Sequence, residues 1–308
     1  MKILFMGTPD FAVPSLRALK KAGYELVGVF TQPDKPKNRG MKLQAPPVKQ
    51  FALENGIPVY QPAKMKDGQA LGIIQDLKPE LIVVAAYGRI LPKEILDYPP
   101  FGCINVHSSI LPKYRGAAPI HWAILNGETE SGVTIMEMAE ELDAGAIMTQ
   151  AATPLDPDET VEMLHDRLAE IGAALLVKTV AEIEAGTVKR TPQDPSQVTF
   201  APMLSRALSP MDWTKTAWQL HNQVRGLIPW PAAVTEFGGT RCKIFHTTVA
   251  DEYTVKQPGT ILEAGNQGIL VSCGDGSVLR IEELQADGGK RMKAADYLRG
   301  HPLMPEGR

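Results

Sequence analysis

Six apolar residues in a row, Leu81-Ile82-Val83-Val84-Ala85-Ala86, most constrain what this chain can fold into. A short run with no polar alternation reads as a strand buried on both faces. Such a strand needs helices above and below it, and the preceding segments supply them. Strand-like residues 3–6 and 26–31 alternate with helical stretches at 11–22, 48–54 and 70–77. The alternation predicts an α/β domain with a Rossmann-like, mostly parallel sheet and helices on both faces. The first turn, Gly7-Thr8-Pro9-Asp10, lacks the second and third glycines of GxGxxG, which disfavours a nicotinamide dinucleotide.

A second run, Phe101-Gly102-Cys103-Ile104, leads into Asn105-Val106-His107. In an extended chain Asn105 and His107 share one face and Val106 takes the other. Pro112 and Arg115-Gly116 then break the strand, so an amide and an imidazole stand where it opens into a loop. Ligands of open α/β sheets bind at such strand ends. The pair suits a carbonyl that becomes tetrahedral: both groups can hydrogen-bond an oxyanion, and the imidazole can carry protons. A carboxylate follows at Asp143, between the apolar residues 132–136 and the strand-like 146–149, where Ala144-Gly145 can turn it toward the same strand ends. Each residue alone has a plainer reading, as a hydrogen-bonded histidine, a turn asparagine or a capping aspartate. Together they fit one chemistry.

A long helix is expected at 159–185, and from 186 the periodicity stops. Prolines and polar residues mark 190–209 as a semi-extended linker, dividing the chain into domains at 1–189 and 210–308. After a helix at 216–227 come five short strands, at 233–237, 243–249, 259–262, 268–272 and 277–284. They predict a small OB-like β-barrel, a fold that often holds nucleic acid without establishing that it does so here.

The net charge of −3 over 308 residues gives no overall field for nucleic acid, so any such contact must be local. One candidate is the loop carrying Lys35, Lys37, Arg39, Lys42 and Lys49 against a single acid, Asp34, with prolines and Gly40 keeping it irregular. It reads either as a phosphate-contacting arm or as a solvated surface loop. Arg225 and Trp230 divide in the same way between RNA contact and packing. Three cysteines, Cys103, Cys242 and Cys273, lack metal-ligand spacing, so no metal site is expected. An odd thiol count and an opening apolar stretch too short for a signal peptide or a membrane span point to the cytoplasm.

Asn105, His107 and Asp143, in that order, resemble the catalytic trio of the folate-dependent formyltransferases. The segment Ser109-Ile110-Leu111-Pro112-Lys113-Tyr114-Arg115-Gly116-Ala117-Ala118-Pro119-Ile120 is similar to that family's signature loop, and Leu142-Asp143-Ala144-Gly145 to its second motif. Ile110 stands where leucine is more usual, a mild apolar swap. Phe5-Met6-Gly7-Thr8-Pro9-Asp10-Phe11-Ala12, residues 32–43 and residues 224–232 resemble the members that formylate methionyl initiator tRNA, so the likeness covers essentially the whole chain. The resemblance implies transfer of a formyl group from 10-formyltetrahydrofolate to the methionyl α-amine, enabling translation initiation. It implies that Ser109, Ile110, Leu111 and Pro112 lie against the folate, and that Arg39, with Lys42, contacts the tRNA acceptor end. A monomer is the expectation. Two other readings stay open: a tRNA-binding module without chemistry, and a formyltransferase acting on a nucleotide sugar.

Overall fold

The run that begins at Leu81 forms the strand Leu81–Ala85, buried at every position, in the middle of a seven-stranded sheet. The computed structural model describes residues 1–37 and 42–305 and separates into two units. The first unit comprises Met1–Pro119, Ser131–Thr153 and His165–Ala201. Its sheet runs in the order Ile147–Pro154, Glu130–Glu137, Cys103–His107, Leu81–Ala85, Lys2–Gly7, Glu25–Phe30, Val59–Tyr60. Pairing is parallel from Cys103–His107 through to Val59–Tyr60 and becomes antiparallel where Glu130–Glu137 joins Cys103–His107. The expected mostly parallel sheet is therefore present. Strand order reverses between Lys2–Gly7 and Leu81–Ala85, whose last residues, Gly7 and Ala85, are partners. That reversal, at the carboxyl ends of the strands, is where this architecture opens a crevice.

The two faces of Cys103–His107 are set by what covers them. Gly172, in the helix Val161–Glu184, lies so close that a Cβ there would sit 3.0 Å from Val106 Cγ1 and 3.3 Å from Val133 Cγ1. Val106 is thus turned into the helix-covered core. Alternation sends Cys103, Asn105 and His107 to the opposite face.

Several local features differ from the expectations. The two-residue strand Val59–Tyr60 is too short to leave a periodic signal and exists through its pairing with Val29 and Phe30. Residues 35–37 and 42–44, expected to be irregular, instead pair as two short antiparallel strands, Lys35 with Gln44, Pro36 with Leu43 and Lys37 with Lys42. A free-standing two-stranded ribbon tolerates the proline, because each strand has an outer edge that needs no N–H donor. Residues 190–201 are stitched along the first unit. Thr191 exchanges backbone hydrogen bonds with Ile147, and Phe200–Ala201 pairs in parallel with Arg115–Gly116.

The second unit gathers Ile120–Glu130, Pro154–Leu164 and Pro202–Arg308. Its antiparallel sheet is ordered Ala233–Phe237, Thr240–Tyr253, Ser277–Ala286, Gly268–Ser272, Ile261–Gly265, with Met292–Lys293 added beside Ser277–Ala286. No ladder among the described residues joins its first strand to its last. The strand expected at 259–262 begins instead at Ile261, because Gly259 turns the chain at φ +86°. The helix Ala217–Leu227 starts on a capping box, with Thr216 and Gln219 each satisfying the other's backbone N–H. One of its faces, Leu220 and Val224, joins the core of Ile244, Ile269, Leu279 and Ile281.

Gly268 has φ +105°, and a Cβ there would meet Ile281 O at 2.2 Å. Gly288 has φ +76° and nothing within 4 Å. Gly268→Ala is expected to lower stability by at least about 1–3 kcal/mol, and Gly288→Ala by clearly less. Urea unfolding of the two variants checks this; equal costs would mean that the close approach to Ile281 is not what matters.

Candidate active site

Asn105, His107 and Asp143 come together at the carboxyl end of the central strands. His107 is the last residue of Cys103–His107 and is only 6% exposed. Its Nε2 lies 3.0 Å from Tyr114 O, and its Nδ1 lies 3.7 Å from Asp143 Oδ2. A carbonyl oxygen can only accept, so Nε2 carries the hydrogen and donates it to Tyr114. In the neutral ring, Nδ1 is then the basic atom, beside a carboxylate. At 3.7 Å the histidine–aspartate contact is an ion-pair distance rather than a hydrogen bond. Tyr114 O thus holds the ring through Nε2, with the Asp143 carboxylate beside Nδ1. Asn105 is half-buried, and its carboxamide makes no hydrogen bond among the described residues. A polar group in such a position is free to serve a ligand.

Asp143 reaches the site through a tight turn. Its own backbone is left-handed at φ +51°, a conformation aspartate tolerates better than most residues. Gly145, two residues on, is packed so closely that a Cβ would fall 1.9 Å from Glu137 O. The Asp143 Oδ2 atom accepts the Gly116 N–H at 2.8 Å, tying the Asp143 turn to the loop that follows His107.

That loop is braced from below. Thr134, fully buried, donates its hydroxyl to Ser109 O at 2.7 Å and accepts from Leu111 N at 3.1 Å. Gln150 Nε2 donates to Leu111 O at 2.8 Å and to Thr134 Oγ1 at 2.9 Å. Ser109 Oγ is spent on Lys113 O at 2.7 Å, Leu111 is buried, and Ile110 lies against Gly132. The segment 109–112 thus turns much of its side-chain surface into the protein. Thr134 and Gln150 are positions that sequence reasoning missed. A lone polar residue within Val133-Thr134-Ile135 was the available signal.

A cavity of about 590 Å³ in the same unit is lined by residues that include Met65, Leu71, Ile90, Leu91, Ile95 and Glu140, and none of the trio lines it. It is of a size that takes small-molecule ligands, and its lining mixes apolar side chains with a few charges. Burial pushes the Cys103 thiol up to about 12, so no thiolate nucleophile stands on the Asn105 face. Among the described residues no group of three His, Cys, Asp or Glu side chains could hold a metal ion. Among them, too, no helix is long and apolar enough to cross a membrane.

The remaining candidates fare differently. Arg39 lies outside the described residues, and Lys42 begins the strand Lys42–Gln44. Lys49 is already committed: its Nζ pairs with Asp34 at 2.8 Å and with Gln61 Oε1 at 2.9 Å. Arg225, weighed as an RNA contact, is 5% exposed and donates to Asn222 Oδ1 and Glu159 O, so it is a packing residue. His221, on the same helix, is buried between Thr247 and Pro157, and burial lowers its pKa. Trp218 and Trp230 are each half exposed.

Known proteins resemble both parts of the chain. Residues 1–180 match the family model for formyl transferase, and residues 204–302 that for the formyl transferase C-terminal domain. The methionyl-tRNA formyltransferase of Trichlorobacter lovleyi is 50% identical over 302 residues, covering 98% of this chain and 95% of that protein. That of Acetivibrio thermocellus is 49% identical over 304 residues, covering 98% and 97%. Among solved structures, an N-formyltransferase from Helicobacter canadensis, in complex with folinic acid and dTDP-3-aminofucose, superposes with a TM-score of 0.70 at 23% identity. The match covers 91% of this chain and 98% of that one.

The base of the strand pair 35–37 and 42–44 carries a pH-sensitive lock. Hydrogen bonds from Lys49 and then Gln61 hold the Asp34 carboxyl below its ordinary value. A depressed carboxylate stabilises fully above the ordinary pKa of about 3.9 and loses that contribution as pH falls through its lower folded value. Limited proteolysis within 35–44 is expected to be unchanged in the wild type between pH 5 and 8, and faster in Asp34→Asn at pH 7. Equal cleavage of the two proteins would show that Asp34 does not hold the strand pair.

Proposed function

This chain belongs to the formyl transferase family, and from that premise we propose that it transfers a formyl group from 10-formyltetrahydrofolate to the α-amino group of methionyl initiator tRNA. The observation that carries the acceptor is the 50% identity, across 98% of the chain, to a protein that is itself a methionyl-tRNA formyltransferase. The product is the formylated initiator used to begin translation.

The residues divide the chemistry as follows. Folate is a substrate here, consumed and released at each turnover. The neutral amine attacks the formyl carbon, forming the new C–N bond and a tetrahedral oxyanion. The unengaged Asn105 carboxamide donates to that oxygen. His107 Nδ1 takes the amine proton, and Asp143, 3.7 Å away, compensates the imidazolium that results. The same proton then leaves with N10 of the folate as the old C–N bond breaks. While Nδ1 carries the proton, the imidazolium adds its charge to the stabilisation of the oxyanion.

The donor's ring system, in this reading, lies against the segment 109–112, whose main chain Thr134 and Gln150 hold in place. In this reading the chain divides into a formyltransferase domain at 1–189, a linker at 190–209 and a tRNA-binding domain at 210–308. The antiparallel sheet of the latter is an OB-like, partly open barrel. Arg39 and Lys42 meet the acceptor end of the tRNA, and the protein works as a cytoplasmic monomer.

Formyl transfer to purified methionyl initiator tRNA, with methionyl elongator tRNA alongside, tests the reading. Strong formylation of the initiator alone is expected; failure on both tRNAs with folate still bound would mean another amine acceptor. Asn105→Ala and His107→Ala are each expected to lower turnover by on the order of 10²–10³ while folate affinity survives. Turnover like the wild type in either variant removes that residue from the mechanism. Arg39→Ala is expected to weaken tRNA binding and to reduce its salt dependence by about one unit of slope.

A further inference from the structure

Gln193 lies in the proline-bearing stretch that sequence reasoning treated as connection, yet its carboxamide sits between the two loops that present the trio. Its Nε2 donates to Asp143 O and to Gly145 O, both at 2.8 Å. Its Oε1 accepts from Arg115 Nε at 3.0 Å and from Arg115 Nη2 at 2.9 Å. Arg115 is 7% exposed, and its remaining arm, Nη1, pairs with Glu141 Oε1 at 3.0 Å. Glu141 belongs to the same turn as Asp143, and Arg115 precedes the Gly116 whose N–H binds the Asp143 carboxylate. One side chain therefore bridges both ends of the contact that aims Asp143.

We propose that Gln193 is a positioning residue for Asp143, holding its left-handed turn on one side and the Arg115–Gly116 loop on the other. The claim rests on the reading of Asp143 as a catalytic group. The chemistry of the site selects glutamine. Two carbonyls face it on one side and call for two N–H donors; a guanidinium faces it on the other and calls for an acceptor. A carboxamide supplies both at once, whereas glutamate has no donor and leucine has neither. The turn needs such a clamp because Asp143 is held at φ +51°, and local bonds must maintain that backbone against relaxation. Residues around Gln193 are anchored as well. Thr191 pairs with Ile147, and Thr199 Oγ1 accepts from Tyr114 N at 2.9 Å, next to the carbonyl that orients His107.

Gln193→Leu, of nearly the same shape, removes all four hydrogen bonds. It is expected to lower kcat by about 10- to 100-fold, the scale of a displaced catalytic group. KM for the tRNA and affinity for folate should stay within about threefold, since Gln193 touches neither substrate. Gln193→Glu keeps the acceptor toward Arg115 and loses both donors; it is expected to show the same split and serves if the leucine variant folds poorly. The decisive comparison is a double-mutant cycle. Because Gln193 acts through Asp143, Gln193→Leu should cost almost nothing in an Asp143→Ala background. Unchanged kcat in both Gln193 variants, or the same loss with Asp143 absent as with it present, overturns the proposal while leaving Asp143 in place. Turnover like the wild type in Asp143→Ala alone overturns the reading of the trio and this proposal with it.

Discussion

The hydrogen bond from Gly116 N–H to the Asp143 carboxylate at 2.8 Å joins two loops that leave the sheet from different strands. One follows Cys103–His107 and the other follows Glu130–Glu137, which is its antiparallel neighbour. Everything at the site depends on those loops meeting. A hydrogen bond to an ionised carboxylate is stronger than one between neutral groups, and the low exposure of both side chains of the His107–Asp143 pair protects it from competing water. The turn that delivers Asp143 is steric as much as electrostatic, since only a glycine at 145 lets the chain pass Glu137.

Burial makes the surroundings of that bond exacting. Arg115 brings a full charge to a position 7% exposed, which is tolerable only because all three faces of the guanidinium find acceptors. Thr134 and Gln150 do for the neutral backbone of 109–111 what Gln193 and Glu141 do for the charge. The polar groups beneath the site are engaged with one another; Asn105 at its surface is not. A site in which the supports are paired and one polar group is left open is organised before any ligand arrives.

The two units use histidine and arginine in opposite ways. His107 keeps a basic nitrogen beside a carboxylate at the end of a strand. His221 is clasped between Thr247 and Pro157, and Arg225 is consumed by carbonyls and an amide of its own unit. Spacing along the helix could not separate packing from contact with RNA for Arg225. Its partners do.

Much of this was legible in the residues themselves. Smooth apolar runs and their alternation with helical stretches determined the mostly parallel sheet, because a strand covered on both faces has no other use for polar residues. The period of two along Cys103–His107 determined that Asn105 and His107 share a face. The motif around Asp143 indicated that a carboxylate belongs with them. What tertiary structure alone decided is which groups hold the trio. Tyr114 O binds the imidazole at Nε2, Gln193 bridges the two loops, and Lys49 ties down Asp34 elsewhere in the unit. The Gln193 and Lys49 contacts join residues 50, 78 and 15 positions apart in the chain. No local pattern encodes such pairings, since a hydrogen bond between distant residues exists only once the packing of everything between them has brought donor and acceptor within about 3 Å.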